Sequence, residues 1–216
     1  SNAKLKSYCV AESDFDVRGD EGMSFERDLL FELGTTAPIG TIRRDDDYAP
    51  APEYYGRIMD EQRMAFFRNW SALALFDTFT VLINKKQEGA YTVFRNFETS
   101  YFPIYMNSLF LKYALYAANN VLANSSPASK KSRAMRDWYV DVSNRYYMEH
   151  ISYSFLPNEI DSRIRRALDI DSETVQMAGK ISRVAELVNE KQEAQSNFIL
   201  AFLSVVTLSS ALWDCS

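Results

Sequence analysis

One histidine, His150, and two cysteines, Cys9 and Cys215, are the chain's entire supply of imidazole and thiol groups. A nucleophilic site would have to pair His150 with one of those thiols or with a serine, and no Gly-x-Ser-x-Gly elbow exists to display that serine. His150 sits in Tyr147-Met148-Glu149-His150-Ile151, on a helical pattern. It lacks the H-E-x-x-H spacing that would place two imidazoles on one helix face around zinc. A structural histidine is the expectation. Neither G-x-x-x-x-G-K-[ST] nor G-x-G-x-x-G occurs, so the loops that cradle nucleotide phosphates are missing. No catalytic or cofactor-binding residue is assigned, and an enzyme is not expected. The densest acidic cluster, Asp45-Asp46-Asp47, could touch a hard cation through its oxygens, although such sites usually draw on several well-spaced ligands. Arg43 and Arg44 partly neutralise it, and a solvated loop is the competing reading. Asp161, Asp169, Asp171 and Glu173 form a looser acidic region whose ordinary role is helix capping.

These residues must be positioned by a chain of 216 residues, long enough for one sizeable domain or two small ones. With 25% charged and 47% hydrophobic residues it has the composition of a folded protein. Seven Gly and six Pro against 14% aromatic residues favour long elements with few turns. The net charge of −5 argues against nucleic acid as a partner, because neutralising phosphates needs a basic surface. Two cysteines near opposite ends, with no C-x-x-C, fit a reducing compartment. The sequons at Asn69 and Asn124 would matter only in a secreted protein. Ser1-Asn2-Ala3 reads as a tag remnant and stands outside the fold. Lys4, with no initiating Met before it, reads as an internal residue of a longer protein, and truncation after Ser216 is equally expected.

The fold class expected is mainly α (α+β): a small sheet in the N-terminal half, residues 4–96, then long antiparallel helices over 97–216, the last a stalk-like helix. Residues 27–33 (RDLLFEL) form the first clear element, with helix and strand both open. Residues 35–52 are mostly loop with a short strand at 40–43. A helix follows from 53 to about 66. Residues 72–83 (ALALFDTFTVLI), where Thr78 and Thr80 alternate with Phe79 and Val81, carry strand chemistry. A turn over 84–90 would return the chain as a partner strand at 91–94. Helices are then expected over 97–123 and 129–155, with Pro157 kinking or restarting the second before 160–168.

The final helix, 171–213, would be about 65 Å long, against a radius of gyration of about 17 Å for a compact domain of this chain length. It has two characters. Met177 or Ala178, then Ile181, Val184, Val188, Gln192 and Gln195, make a narrow seam like that of a coiled coil. Residues 198–213 (FILAFLSVVTLSSALW) then carry no charge. They span about 24 Å, slightly short of a bilayer core, with Trp213 suited to an interface. Lipid at Phe198 to Trp213, a homo-oligomer through this helix, and burial as a core helix are the competing settings.

The order of features from Trp70 onward resembles the cytosolic region of the CorA-like divalent-cation transporter superfamily. The likeness rests on Asn69-Trp70 and the strand 73–82, on Tyr101-Phe102-Pro103-Ile104-Tyr105 opening a helix, on Asn144-Arg145-Tyr146-Tyr147 with Ile151-Ser152, and on the last helix. The family's Gly-Met-Asn tripeptide is absent, as is a second span. The resemblance implies a cytosolic α/β part on the cytoplasmic face of the membrane, a stalk, homo-oligomers, and Mg²⁺ sensing at carboxylates between subunits. It transfers no metal-binding position. The expected function is therefore support or regulation of divalent-cation transport by a part that is not itself a channel, with a self-associating, non-transporting scaffold or membrane-tethered interaction protein as the alternative.

Overall fold

The computed structural model describes residues 6–14, 20–45, 47–127 and 129–214, with side chains except at 20–21 and 205–214. The architecture is α+β, a small sheet in the N-terminal half followed by long helices. The sheet has the order β1-β4-β3-β2, formed by β1 (Ser7–Ser13), β2 (Arg63–Phe67), β3 (Trp70–Ala74) and β4 (Thr78–Asn84). β1 runs parallel to β4, and the β2-β3-β4 pairs are antiparallel. The helices are α1 (Asp20–Thr35), α2 (Thr41–Arg44), α3 (Pro52–Gln62), α4 (Ala90–Asn96), α5 (Phe102–Ala123), α6 (Lys130–Tyr146), α7 (Phe155–Ala167) and α8 (Ile170–Asp214). A π-helical turn, Phe97–Tyr101, joins α4 to α5.

Residues 78–84 alternate Thr with apolar side chains over 78–81 and run apolar over 81–83, and they form a strand buried on both faces. One face, with Leu73 and Leu82, packs on Leu30 and Phe31 of α1 and Met59 of α3. The other is aromatic: Phe79 stacks on Tyr8 at 5.4 Å and lies 6.1 Å from Tyr105, while Phe97 meets Trp70 edge to face at 5.1 Å. Offset and edge-on pairs of this kind add to the area they remove from water. Each fully buried large side chain contributes about 1.5–3 kcal/mol by transfer from water. Two hydroxyls tie the layers together, Tyr8 donating to the Phe97 carbonyl at 2.6 Å and Tyr105 to the Ser7 carbonyl at 3.0 Å.

Several local expectations are corrected. Residues 27–33, for which helix and strand were both open, lie inside helix α1. Residues 40–43 contribute to a helical turn rather than a strand, because the Glu32 carboxylate accepts from the Gly40 and Ile42 amides at 2.7 and 2.9 Å and curls the loop. The helix from 53 ends at Gln62, where Arg63 turns extended (φ −73°, ψ 138°) and begins β2. The returning strand at 91–94 is helix α4: Gly89 (φ 80°) turns the chain, and β4 already has β1 and β3 as neighbours on its two sides. β1 carried no expectation at all. The helix over 129–155 stops at Tyr146, and α7 restarts at Phe155 with Pro157 in its first turn, where a missing N–H costs nothing.

The chain divides into two compact units, Ser1–Lys112 with Met148–Asp171, and Tyr113–Tyr147 with Ser172–Ser216. The first holds the sheet. The second buries Ala114, Leu115 and Ala118 of α5, Tyr139 and Val142 of α6, and Met177 and Val184 of α8. Ser129 caps α6 by accepting from the Ser132 amide at 3.1 Å.

Candidate functional site

The residues that chemistry singled out in the sequence do not converge. Asp45 ends α2 in a left-handed conformation (φ 50°), Asp47 is exposed, and Asp46 lies outside the described residues. Among the described residues no group of three His, Cys, Asp or Glu side chains could hold a metal ion. His150 stands exposed in the loop between α6 and α7, where a helical pattern was expected, because Tyr147 is already extended. Cys9 is half-buried in β1, and burial pushes its thiol pKa up, lowering the fraction of reactive thiolate. Cys215 lies outside the described residues.

The acidic junction separates into different roles. Asp161 is 3% exposed within α7, 3.2 Å from the Arg165 guanidinium and 3.3 Å from the Ser108 hydroxyl. Burial pushes its carboxyl above the usual carboxylate range, outweighing the opposing pull of Arg165 and the Ser108 hydrogen bond. Asp171 lies 3.7 Å from the same guanidinium, and Asp169 holds the α7–α8 turn at φ 56°. Of these, Asp161 departs most from a capping role.

A second constellation was not singled out in the sequence. Glu26, Asp28 and Glu32 of α1 are 4%, 8% and 2% exposed, and each is partnered. The Arg63 Nη2 donates to Glu26 Oε2 at 2.6 Å, and the Ser71 hydroxyl donates to Glu26 Oε1. Tyr55 donates to Asp28 at 2.8 Å. This Glu26–Arg63–Ser71 group forms part of the wall of a cleft of about 560 Å³ along β2, with Arg68, Phe67 and Trp70 also on its wall. The available signal was spacing, since Glu26 precedes the core residue Leu30 by four positions and so shares its buried helix face.

The third feature is the end of α8. Met177 and Val184 of the expected seam are buried in the second unit, and Ile181 and Val188 are half-buried. Lys180 donates to Asn119 of α5, and Arg133 near the start of α6 shares a small cleft with Val188, Gln192 and Gln195. Beyond that cleft every side chain from 196 to 204 is exposed. Phe198, Ile199, Leu200 and Phe202 are 73%, 57%, 59% and 61% accessible. At 3.6 residues per turn these four cover an arc of about 200°. That is wider than a two-stranded seam. Among the described residues no helix is long and apolar enough to cross a membrane.

No family model matches the chain, and no curated protein or solved structure matches it.

Proposed function

We propose that this chain is a non-catalytic assembly module whose α8 end is buried by apolar surroundings supplied from outside its own fold. The observation that carries this reading is the exposure of Phe198, Ile199, Leu200 and Phe202 on one charge-free helical stretch. Contiguous exposed apolar surface marks a contact with protein or lipid, because leaving it in water forfeits the transfer free energy of each side chain. Its width favours surroundings on several sides, such as a bundle of α8 ends from copies of this chain, over a two-helix seam. In its specific form the module is the cytoplasm-facing part of a CorA-like homo-oligomer that supports or regulates divalent-cation transport. The resemblance of residues 69–82 and of the two-character last helix supports that form. The alternative is a scaffold that associates without regard to any ion, favoured by the burial of Met177 and Val184 inside the chain, which leaves the charge-free end as the principal surface for association.

Light-scattering mass measurement in solution tests both, with and without Mg²⁺, on the intact chain and on Phe198→Ser/Phe202→Ser. An oligomer that loses at least about tenfold in affinity on the double substitution is expected, since two large apolar contacts are removed. A strict monomer at about 100 μM that also ignores lipid vesicles would sink the module reading. A Mg²⁺-dependent mass supports the CorA-like form, and a Mg²⁺-indifferent oligomer supports the scaffold.

A further inference from the structure

The cleft along β2 lies apart from the α8 end and carries a separate inference. We propose that it binds a small organic anion with a flat apolar group, in its simplest form an aromatic carboxylate. The volume of about 560 Å³ falls within the range of small-molecule pockets. Its apolar walls are Phe66, Phe67 and Trp70, with Phe66 and Phe67 39% and 55% exposed, so a planar group meets rings already presented to solvent.

Charge decides the rest of the ligand. Glu26 is spent internally, one oxygen accepting from Ser71 and the other from Arg63. That pair cancels formally and leaves the Arg68 guanidinium, which is exposed and forms no ion pair among the described residues. The Nε of Arg63 has no acceptor among the described residues, but it is fully buried and closed to the cleft, so Arg68 is the cation that would meet a ligand there. Guanidinium donors have no acceptor capacity of their own, whereas a carboxylate accepts only and matches their fork. An aromatic ring also stacks on a guanidinium plane.

The edge position of β2 raises the rival idea of an added peptide strand. The register shift between Met64 and Phe67 works against it, because a bulge twists an edge away from regular pairing. A compact ligand between α1 and the bulged edge fits better than a fifth strand.

The test is calorimetric titration of the intact chain with phenylacetate, phenylacetamide and cyclohexylacetate, together with the shift of the Trp70 indole resonance. Phenylacetate should bind saturably at one site and move Trp70. Phenylacetamide should bind at least about tenfold more weakly, as should the Arg68→Ala variant toward phenylacetate, with Arg68→Lys between them. Arg68 is exposed, so the melting temperature of Arg68→Ala should match that of the parent chain. The proposal is overturned if phenylacetate does not saturate by about 10 mM, if acid and amide bind alike, or if Arg68→Ala changes nothing. Equal binding of cyclohexylacetate would overturn the aromatic part. None of these results bears on residues 198–202, so the α8 reading stands or falls separately.

Discussion

Glu26 shows how much a single buried charge depends on its partners. Glu26→Gln leaves Arg63, 24% exposed, without its counter-charge, and should cost about 2–4 kcal/mol in urea unfolding. Removing both charges with Glu26→Gln/Arg63→Met should recover much of that loss, because the penalty lies in the unpaired ion and not in a missing attraction. Asp161 makes a prediction in pH. Its carboxyl pKa is raised in the fold, so the folded state holds the proton better than the unfolded chain does. That contribution to stability is fully present below the ordinary carboxylate pKa of about 4 and is lost as pH rises through the higher folded value. Unfolding curves of the parent chain and Asp161→Asn, taken across this window, should diverge, the parent losing stability relative to the variant as pH increases. Parallel pH profiles would show that Asp161 is not desolvated. Neither residue could be chosen from sequence by type alone, since Glu26 sits among Arg27 and Asp28 and Asp161 among helix-capping acids. Burial and its partners mark each one out: Glu26 on Arg63 and Ser71, Asp161 on Arg165 and Ser108.

At the scale of the element, α8 is one helix with two kinds of support. Up to Val188 it packs against α5 and α6, whereas the side chains from 196 to 204 are exposed to solvent. Helical stability in proteins comes mostly from a packed face and less from propensity. Amides beyond Gln195 should therefore exchange with solvent much faster than those near Val184 in dilute solution, and become protected at concentrations where the chain associates. Uniform protection along α8 in a dilute monomer would contradict this division. The change from a polar seam to a charge-free run was legible in the sequence, since charge is read residue by residue. Which stretch is covered was not, because it depends on where α6 begins beside Gln192. Element ends were the weakest reading for the same reason. Periodicity places a helix over 53–66, but β2 captures residues from Arg63 onward by pairing with β3, and the ladder outweighs the local helical preference.

For the molecule as a whole, the sequence by itself determined the class of the fold. Scarce glycine and proline, the alternation around Phe79 and the long three-four spacings after residue 97 require a small sheet and long helices, because side-chain periodicity is a local property of the chain. It also determined that the last sixteen residues before Asp214 carry no charge. Tertiary structure decided the partners. β1, with only seven residues, became a strand by lying parallel to β4, seventy-one positions away at Ser7 and Thr78, and that neighbour in turn closed β4 to residues 91–94. Three acids of α1 became buried ligands of Arg63, Ser71, Tyr55 and two loop amides, contacts that no spacing along α1 encodes. The cleft beside them exists because β2 is the edge of the sheet. Strand order and the desolvation of charges are set by residues distant in sequence, so they emerge only when the chain has packed.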